Sequence, residues 1–431
     1  MDKMADVLGR AGAWCGQNKY LSAIKNAFQN FMPLTIAGAI GVLWCNVLVN
    51  DQTGLGLFFK PIMALDFLNP AFQAVNFCTI SCITVGITLG IAQEIGVWNM
   101  GAERAGYIPG LVGLAAWLSV TNTSHMVEGA KEAFTGIAGN ELGATGLFTG
   151  MIIGVLSVEL FCFFEKQDAL KIKMPEQVPP GVARAFEVLV PATITLIITA
   201  CIGSACYNLT GLYLNDVIKN GIQGPLGAVG ATIPGVMIIY LVIMLFWLVG
   251  IHGNNMLSAV KEALFTPLAL ENVEKFNKGE KPTNIINMYA LQMWGEFGGS
   301  GVTIGLVIAI MIFGKREDNK AIATLSLVPG LFNINETVTF GVPMVLNPIL
   351  GIPFVVAPLI TIIIGYVLTV IGFCPVACLT VPWTTPPIVF GFLACGANVM
   401  GAVTQAILIV VSTVIYVPFL ISYEKDRKSV V

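Results

Sequence analysis

The sequence predicts an all-α polytopic membrane protein with about ten transmembrane helices. Three observations carry this reading. Hydrophobic residues make up 56% of the 431 positions and charged residues only 11%, whereas a soluble domain carries about 25% charged residues. Apolar segments free of charge recur at roughly the 20-residue length that a helix needs to cross the hydrocarbon core. The charges that do occur gather in short loops between those segments.

In chain order, spans are expected at Met32–Asn50, Ala74–Gln93 and Ala105–Val127, then at Leu142–Val158, which continues through Glu159 to Phe164. Val188–Asn215, Asn220–Ile251, Gly301–Phe313, Ile352–Phe373 and Ala402–Leu420 follow. Ala321–Leu350 and Cys374–Met400 are apolar but broken by Pro and Gly. The aqueous loops are Glu165–Arg184, Glu271–Lys281, Gly314–Lys320 and the tail Glu424–Lys428. Lys and Arg concentrate near the N-terminus, in the first loop and in the tail. The positive-inside rule places all three in the cytoplasm, and four spans between Met32 and Phe164 satisfy that parity. Met1–Asn30 is mixed and charged, so no secretory signal is expected there.

A domain boundary is expected near Thr210–Gly224. It separates residues 1–215, built of regular helices, from residues 216–431, which hold the broken segments. Backbone that leaves the helix at membrane depth survives only where protein or water satisfies it, so a binding site belongs in the second half. A net charge of −3 gives no reason to expect nucleic acid. The ten cysteines fall mostly inside apolar runs, where Cys acts as a small hydrophobe. The pairs Cys78/Cys82 and Cys374/Cys378 have no carboxylate or His beside them, so neither a metal nor a cofactor is expected.

Glu336 is the only charged residue between Ala321 and Tyr423, in Asn333-Ile-Asn335-Glu336-Thr337. An ionisable group in such a stretch is costly and tends to face a cavity or a pathway. A carboxylate flanked by the amides of Asn333 and Asn335 is a means of gripping several sugar hydroxyls. His252 ends a long apolar run, between glycines and before Asn254 and Asn255. A helix-capping role competes with a functional one there. Trp247, Trp294 and Trp383 fit an interfacial belt, but Trp383 lies in Pro-Trp-Thr-Thr-Pro-Pro, a bent segment that suits presentation to the apolar face of a pyranose. Gly299 and Ser300, in Gly-Gly-Ser-Gly, either pack helices or expose backbone to a site, with Glu296 as a second polar group beside them. His125 and Glu128 read as surface-loop residues. Glu159 is expected to reach out to the membrane interface.

Several patches resemble the membrane component, enzyme IIC, of the lactose/cellobiose/diacetylchitobiose family of sugar phosphotransferase systems. They are Ala23–Phe28 with Met32-Pro33-Leu34, Met174-Pro175 with Val178-Pro179-Pro180, Gly250-Ile-His252-Gly253, and Gly298-Gly-Ser-Gly301. Phe332–Glu336 follows, then Phe340-Gly-Val-Pro343, Asn347-Pro348 and Pro382-Trp383-Thr384. They run nearly end to end, in order. The chain departs from the family pattern at Thr337, where Pro is expected, and at Ala185, where Ser is expected.

The resemblance implies a homodimer in a bacterial cell membrane, with ten spans per protomer. The N-terminal half would form the dimer interface. The C-terminal half would carry two re-entrant hairpins around a disaccharide and move as a rigid unit, like an elevator. It further implies a cytosolic partner, IIB, charged through IIA, whose phosphocysteine phosphorylates the sugar's primary hydroxyl. In that setting Glu336 would orient a hydroxyl and His252 would steady the phosphoryl oxygens. Asn333, Asn335, Asn254, Gly299, Ser300, Trp383 and Trp247 complete the expected sugar site. The alternative is a proton-coupled secondary sugar transporter with Glu336 as proton carrier. An intramembrane hydrolase would need a nucleophile with a base, or metal ligands, and neither constellation is present in the sequence.

Overall fold

Most of the charge-free segments form apolar helices, and the chain leaves the helix in the Pro-bearing stretches 344–350 and 371–388, while Pro33, Pro191, Pro267, Pro358 and Pro418 are carried within helices. The computed structural model describes residues 10, 13–14, 17–51, 55–125, 134–175, 177–225, 230–342 and 344–426. Glu128, Pro343 and tail residues 427–428 lie outside the described residues. The principal helices are α1 (Lys19–Leu43), α2 (Ile83–Met100), α3 (Ile108–Val120), α4 (Ala144–Glu165) and α5 (Pro180–Thr210). They continue as α6 (Ile233–Leu248), α7 (Ser258–Asn277), α8 (Met288–Gly295), α9 (Ile304–Phe313) and α10 (Glu317–Leu331). The last are α11 (Glu336–Gly341), α12 (Gly351–Val370), α13 (Val389–Ala394) and α14 (Val399–Asp426). Among the described residues the only sheet pairs Ser124–His125 with Phe134–Thr135, and the His125 and Phe134 rings lie 5.7 Å apart.

Five helical stretches are long and apolar enough to cross a bilayer, at 19–48, 144–165, 180–210, 351–370 and 399–425. Two bent pairs qualify when each is taken together, 60–100 with a 42° bend and 288–313 with a 58° bend. Helices 108–120 and 233–248 are apolar but shorter. The sequence expectation needs three corrections. Asn220–Ile251 is not one span: π-helical residues 219–223 and a turn and bend at 231–232 precede an α6 that starts only at Ile233, with Pro234 in its first turn. Gly301–Phe313 is the second limb of a bent pair rather than a span of its own. The expected loop Glu271–Lys281 is helical up to Asn277, as the end of α7, which buries Ala259, Phe265, Ala269 and Val273 on one side.

The chain divides into two compact units. One comprises Gln17–Gly38 and Val75–Gly227. Its core is a helix stripe, Ile83, Ile87, Ile91 and Ile95, at the four-residue spacing of one α-helical face. Small residues let backbones approach: a Cβ on Gly113 would lie 2.3 Å from that of Ala92. Trp117 is fully buried among Val120, Ile153 and Leu196. Glu165, at the end of α4, is buried and holds Arg104 at 2.7 Å and Arg184 at 3.0 Å. Glu159 does not reach for the interface alone; it pairs with Lys19 at 2.5 Å.

The other unit comprises Met1–Gly16, Ala39–Ala74 and Ala228–Val431. Its N-terminal part stacks Trp44 on Phe72, with centroids 4.3 Å apart. Buried α9 packs along α14, and Tyr416 of α14 donates to the Gly301 carbonyl at 2.7 Å. Residues 371–388 leave the helix altogether, as Pro and Gly predict. Buried backbone must still be paired, and side-chain amides do this. Asn272 and Asn287 donate to the Ala377 carbonyl at 3.0 and 3.1 Å. Gln405 accepts from the Ile388 and Gly391 N–H groups at 2.7 Å each and donates to the Met293 carbonyl at 3.2 Å.

Candidate functional site

Four irregular segments of the second unit meet at one cavity, the fourth being the turn that carries Trp383. The first follows α6. His252 caps the short helix Gly253–Met256, its Nδ1 accepting the Asn255 N–H at 3.2 Å. Because Nδ1 is the acceptor, the neutral ring carries its proton on Nε2. The ring packs 4.4 Å from that of Trp247. Trp247 is buried and meets Phe340 and Phe354 at 6.5 and 6.4 Å, so it backs the histidine.

The second segment is the bend between α8 and α9. Gly299 has φ +87°, and a Cβ there would sit 2.6 Å from the Cβ of Asn335. Only glycine fits both that left-handed backbone and that approach. The third is the break between α10 and α11. Pro329 and Gly330 close α10 in a turn in which the Asn333 N–H bonds the Gly330 carbonyl at 3.0 Å. Asn333 has φ +63°, a conformation that asparagine tolerates. Its Oδ1 accepts the Gly298 N–H at 2.6 Å, while Nδ2 donates to the carbonyls of Trp383 and, at 3.1 Å, Thr385. Asn335 is buried and donates to the Ser300 carbonyl at 2.9 Å and the Thr339 hydroxyl at 3.0 Å. Both amides thus tie the segments together. Asn254 Nδ2 adds a bond to Ser300 Oγ at 3.0 Å.

Glu336 opens α11, where a carboxylate complements the helix dipole. Its side chain is 48% exposed, and Oε1 stands 3.8 Å from His252 Nε2. Trp383 is also exposed, on a turn closed by the Thr385 N–H to the Pro382 carbonyl at 2.9 Å. The cavity has about 820 Å³ of free space, its mouth and the adjoining solvent included. Of the residues expected at a site, His252, Asn254, Gly299, Ser300, Asn333, Asn335, Glu336 and Trp383 line it, and Trp247 does not. The lining also includes Gln292, Phe297, Phe390 and Gln405, which the sequence reading did not single out, and Glu296, which it noted only in passing. Among the described residues, none of the His, Cys, Asp and Glu groups gathers in a metal-holding cluster.

The family model for the phosphotransferase system EIIC matches residues 25–358. The chain belongs to this family. The EIIC chain is 32% identical to the oligo-beta-mannoside-specific EIIC component of Bacillus subtilis strain 168, over 98% of this chain and 94% of that protein. It is likewise 32% identical to the lactose-specific EIICB component of Staphylococcus aureus strain COL, over 95% of this chain and 70% of the relative. Its structure superposes on ChbC, the IIC component from an N,N'-diacetylchitobiose-specific phosphotransferase system. The TM-score is 0.87, at 29% identity, covering 96% of this chain and 95% of ChbC. The EIIC chain is therefore the multi-pass, sugar-specific membrane component of a sugar phosphotransferase system. Thr337, one of the departures from the family pattern, lies exposed in the first turn of α11. First-turn N–H groups have no intrahelical acceptor, so Thr stands there without cost to the helix ladder.

Proposed function

We propose that this EIIC chain carries a disaccharide inward and presents it to a phosphorylated IIB partner, and that the cavity around Glu336 is the sugar site. The observation that carries the reading is the convergence of Glu336, His252 and Trp383 on one cavity in a strongly apolar chain. A carboxylate and an N–H donor address hydroxyls, and an exposed indole addresses the apolar face of a sugar ring. The lactose-specific relative is an EIICB component, which supports a IIB partner as the phosphoryl donor. Relatives are named as specific for oligo-beta-mannoside, cellobiose, lactose and N,N'-diacetylchitobiose, which supports a cellobiose, lactose or diacetylchitobiose type of substrate. Phosphoryl transfer asks mainly for positioning and charge management. Glu336 orients the accepting hydroxyl and His252 Nε2–H steadies phosphoryl oxygens. Residues 216–431 carry the sugar as an elevator, residues 1–215 hold the homodimer, and both termini face the cytoplasm.

The test is transport in vesicles. With this protein alone, labelled disaccharide equilibrates slowly at most. Phosphorylated IIB on the cytoplasmic face converts it to the sugar phosphate, and IIB lacking its phosphorylated Cys does not. Concentrative uptake of unmodified sugar on a proton gradient, indifferent to IIB, would replace this reading with a proton-coupled transporter.

A further inference from the structure

The cavity holds a second carboxylate with its own counter-ion. Glu296 follows α8 at the bend and lines the cavity. Its Oε1 accepts from the Tyr240 hydroxyl at 2.7 Å and from the Lys261 ammonium. The Lys261 side chain is only 7% exposed, and Tyr240 is fully buried. Oε2 accepts from no described residue. Lys261 Nζ also donates to Asn254 Oδ1 at 3.4 Å, which leaves the Asn254 NH2 for Ser300. A scaffold gains nothing from such a pair, because apolar side chains of the same volume serve folding as well or better. The pair makes sense where one of its lone pairs is put to use.

We propose that Glu296 is a second hydroxyl acceptor for the bound disaccharide and that Lys261 is its positioning residue. Lys261 holds Oε1, leaving Oε2 for the cavity, and fixes the Asn254 amide beside Ser300. The inference rests on the reading of the cavity as the sugar site. It separates the two carboxylates by charge. Glu336 stands half exposed beside a neutral imidazole. Glu296 is offset by Lys261, so it offers the strength of an ionised acceptor without adding net negative charge to the cavity. An unpaired second carboxylate would repel an incoming phosphoryl group.

The experiment measures binding to purified protein of the tightest among cellobiose, lactose and diacetylchitobiose, together with its monodeoxy analogues. Glu296→Gln is expected to weaken binding about ten- to a hundredfold. It should also erase the penalty for removing one particular hydroxyl, a different one from that erased by Glu336→Gln. Lys261→Met strands a buried carboxylate and is expected to fold poorly, so the decisive variant is Lys261→Met/Glu296→Gln, which is neutral. It should melt like wild type yet bind as weakly as Glu296→Gln, with the same hydroxyl blindness. Wild-type affinity and an unchanged analogue pattern in Glu296→Gln and the double variant would reduce the pair to scaffold and overturn the proposal. If Glu336→Gln and Trp383→Ala also bind normally, the cavity itself is misread; if they lose binding and the Glu296 variants do not, this inference alone fails.

Discussion

Nε2 of His252 stands 3.8 Å from Oε1 of Glu336, and the ring's other nitrogen is taken by the Asn255 N–H. The separation is too long for a direct hydrogen bond and short enough for one oxygen to touch both groups. A sugar hydroxyl there would accept a hydrogen bond from Nε2–H and donate one to the carboxylate.

Glu336→Gln removes the charge and keeps the shape. A charge-assisted hydrogen bond is about twice as strong as a neutral one, so sugar affinity should fall by about 1.5–3 kcal/mol. The fold should be unaffected, because Glu336 is half exposed and makes no buried ion pair. Isothermal titration of the purified variant checks this, and near-normal binding would remove Glu336 from direct contact with sugar.

His252→Ala should fold and reach the membrane, with some loosening because the Asn255 N–H loses its cap, a cost of about 1 kcal/mol. A group facing the phosphoryl donor matters most in the transition state. IIB-dependent phosphorylation should therefore fall further than sugar binding does. Equal losses in the two assays would make His252 a plain sugar ligand.

Periodicity and charge made the helices legible in the sequence, because a bilayer punishes polar backbone and side chains alike. Glu336 and His252 were legible for the same reason: a lone ionisable group in apolar surroundings needs a use. Lys261 was not, since Glu262, Glu271, Glu274 and Lys275 share its segment and no charge stands alone there, and only the fold reveals which face of α7 is buried. Trp247 was misplaced because proximity in sequence to His252 does not say which side of the ring it covers. The amides of Asn333 and Asn335 drew notice as sugar ligands. Their bonds to Gly298, Ser300 and Trp383 bridge positions 35 to 50 residues apart, which no local pattern encodes.

Trp383→Ala should lower affinity by about 1–3 kcal/mol, the worth of a full aromatic contact with an apolar sugar face. Trp383→Phe should recover part of it, since a smaller ring keeps part of the area. The residue is 44% exposed, so neither change should move the melting temperature much. Unchanged affinity in Trp383→Ala would return this side chain to an interfacial role.

Asn333 distinguishes a clamp from a ligand. Its Oδ1 meets an N–H donor, whereas its Nδ2 faces the two carbonyls of Trp383 and Thr385. Asn333→Asp has the same shape but turns a carboxylate oxygen toward those carbonyls. The turn that presents Trp383 should be pushed away, with stability lowered by about 1–3 kcal/mol and sugar affinity falling with it. Asn333→Gly accepts the positive φ without strain and loses only the side-chain bonds. Asn333→Ala loses them and adds about 1–2 kcal/mol of backbone strain. The expected order of melting temperature is therefore wild type, Gly, then Ala, with Asp also well below wild type. A sugar ligand predicts a different pattern. If Asn333 served mainly by accepting from a hydroxyl, the ionised acceptor in Asn333→Asp would bind sugar as well as wild type or better, at an unchanged melting temperature. Thermal shift with and without sugar, on all three variants, separates the two cases.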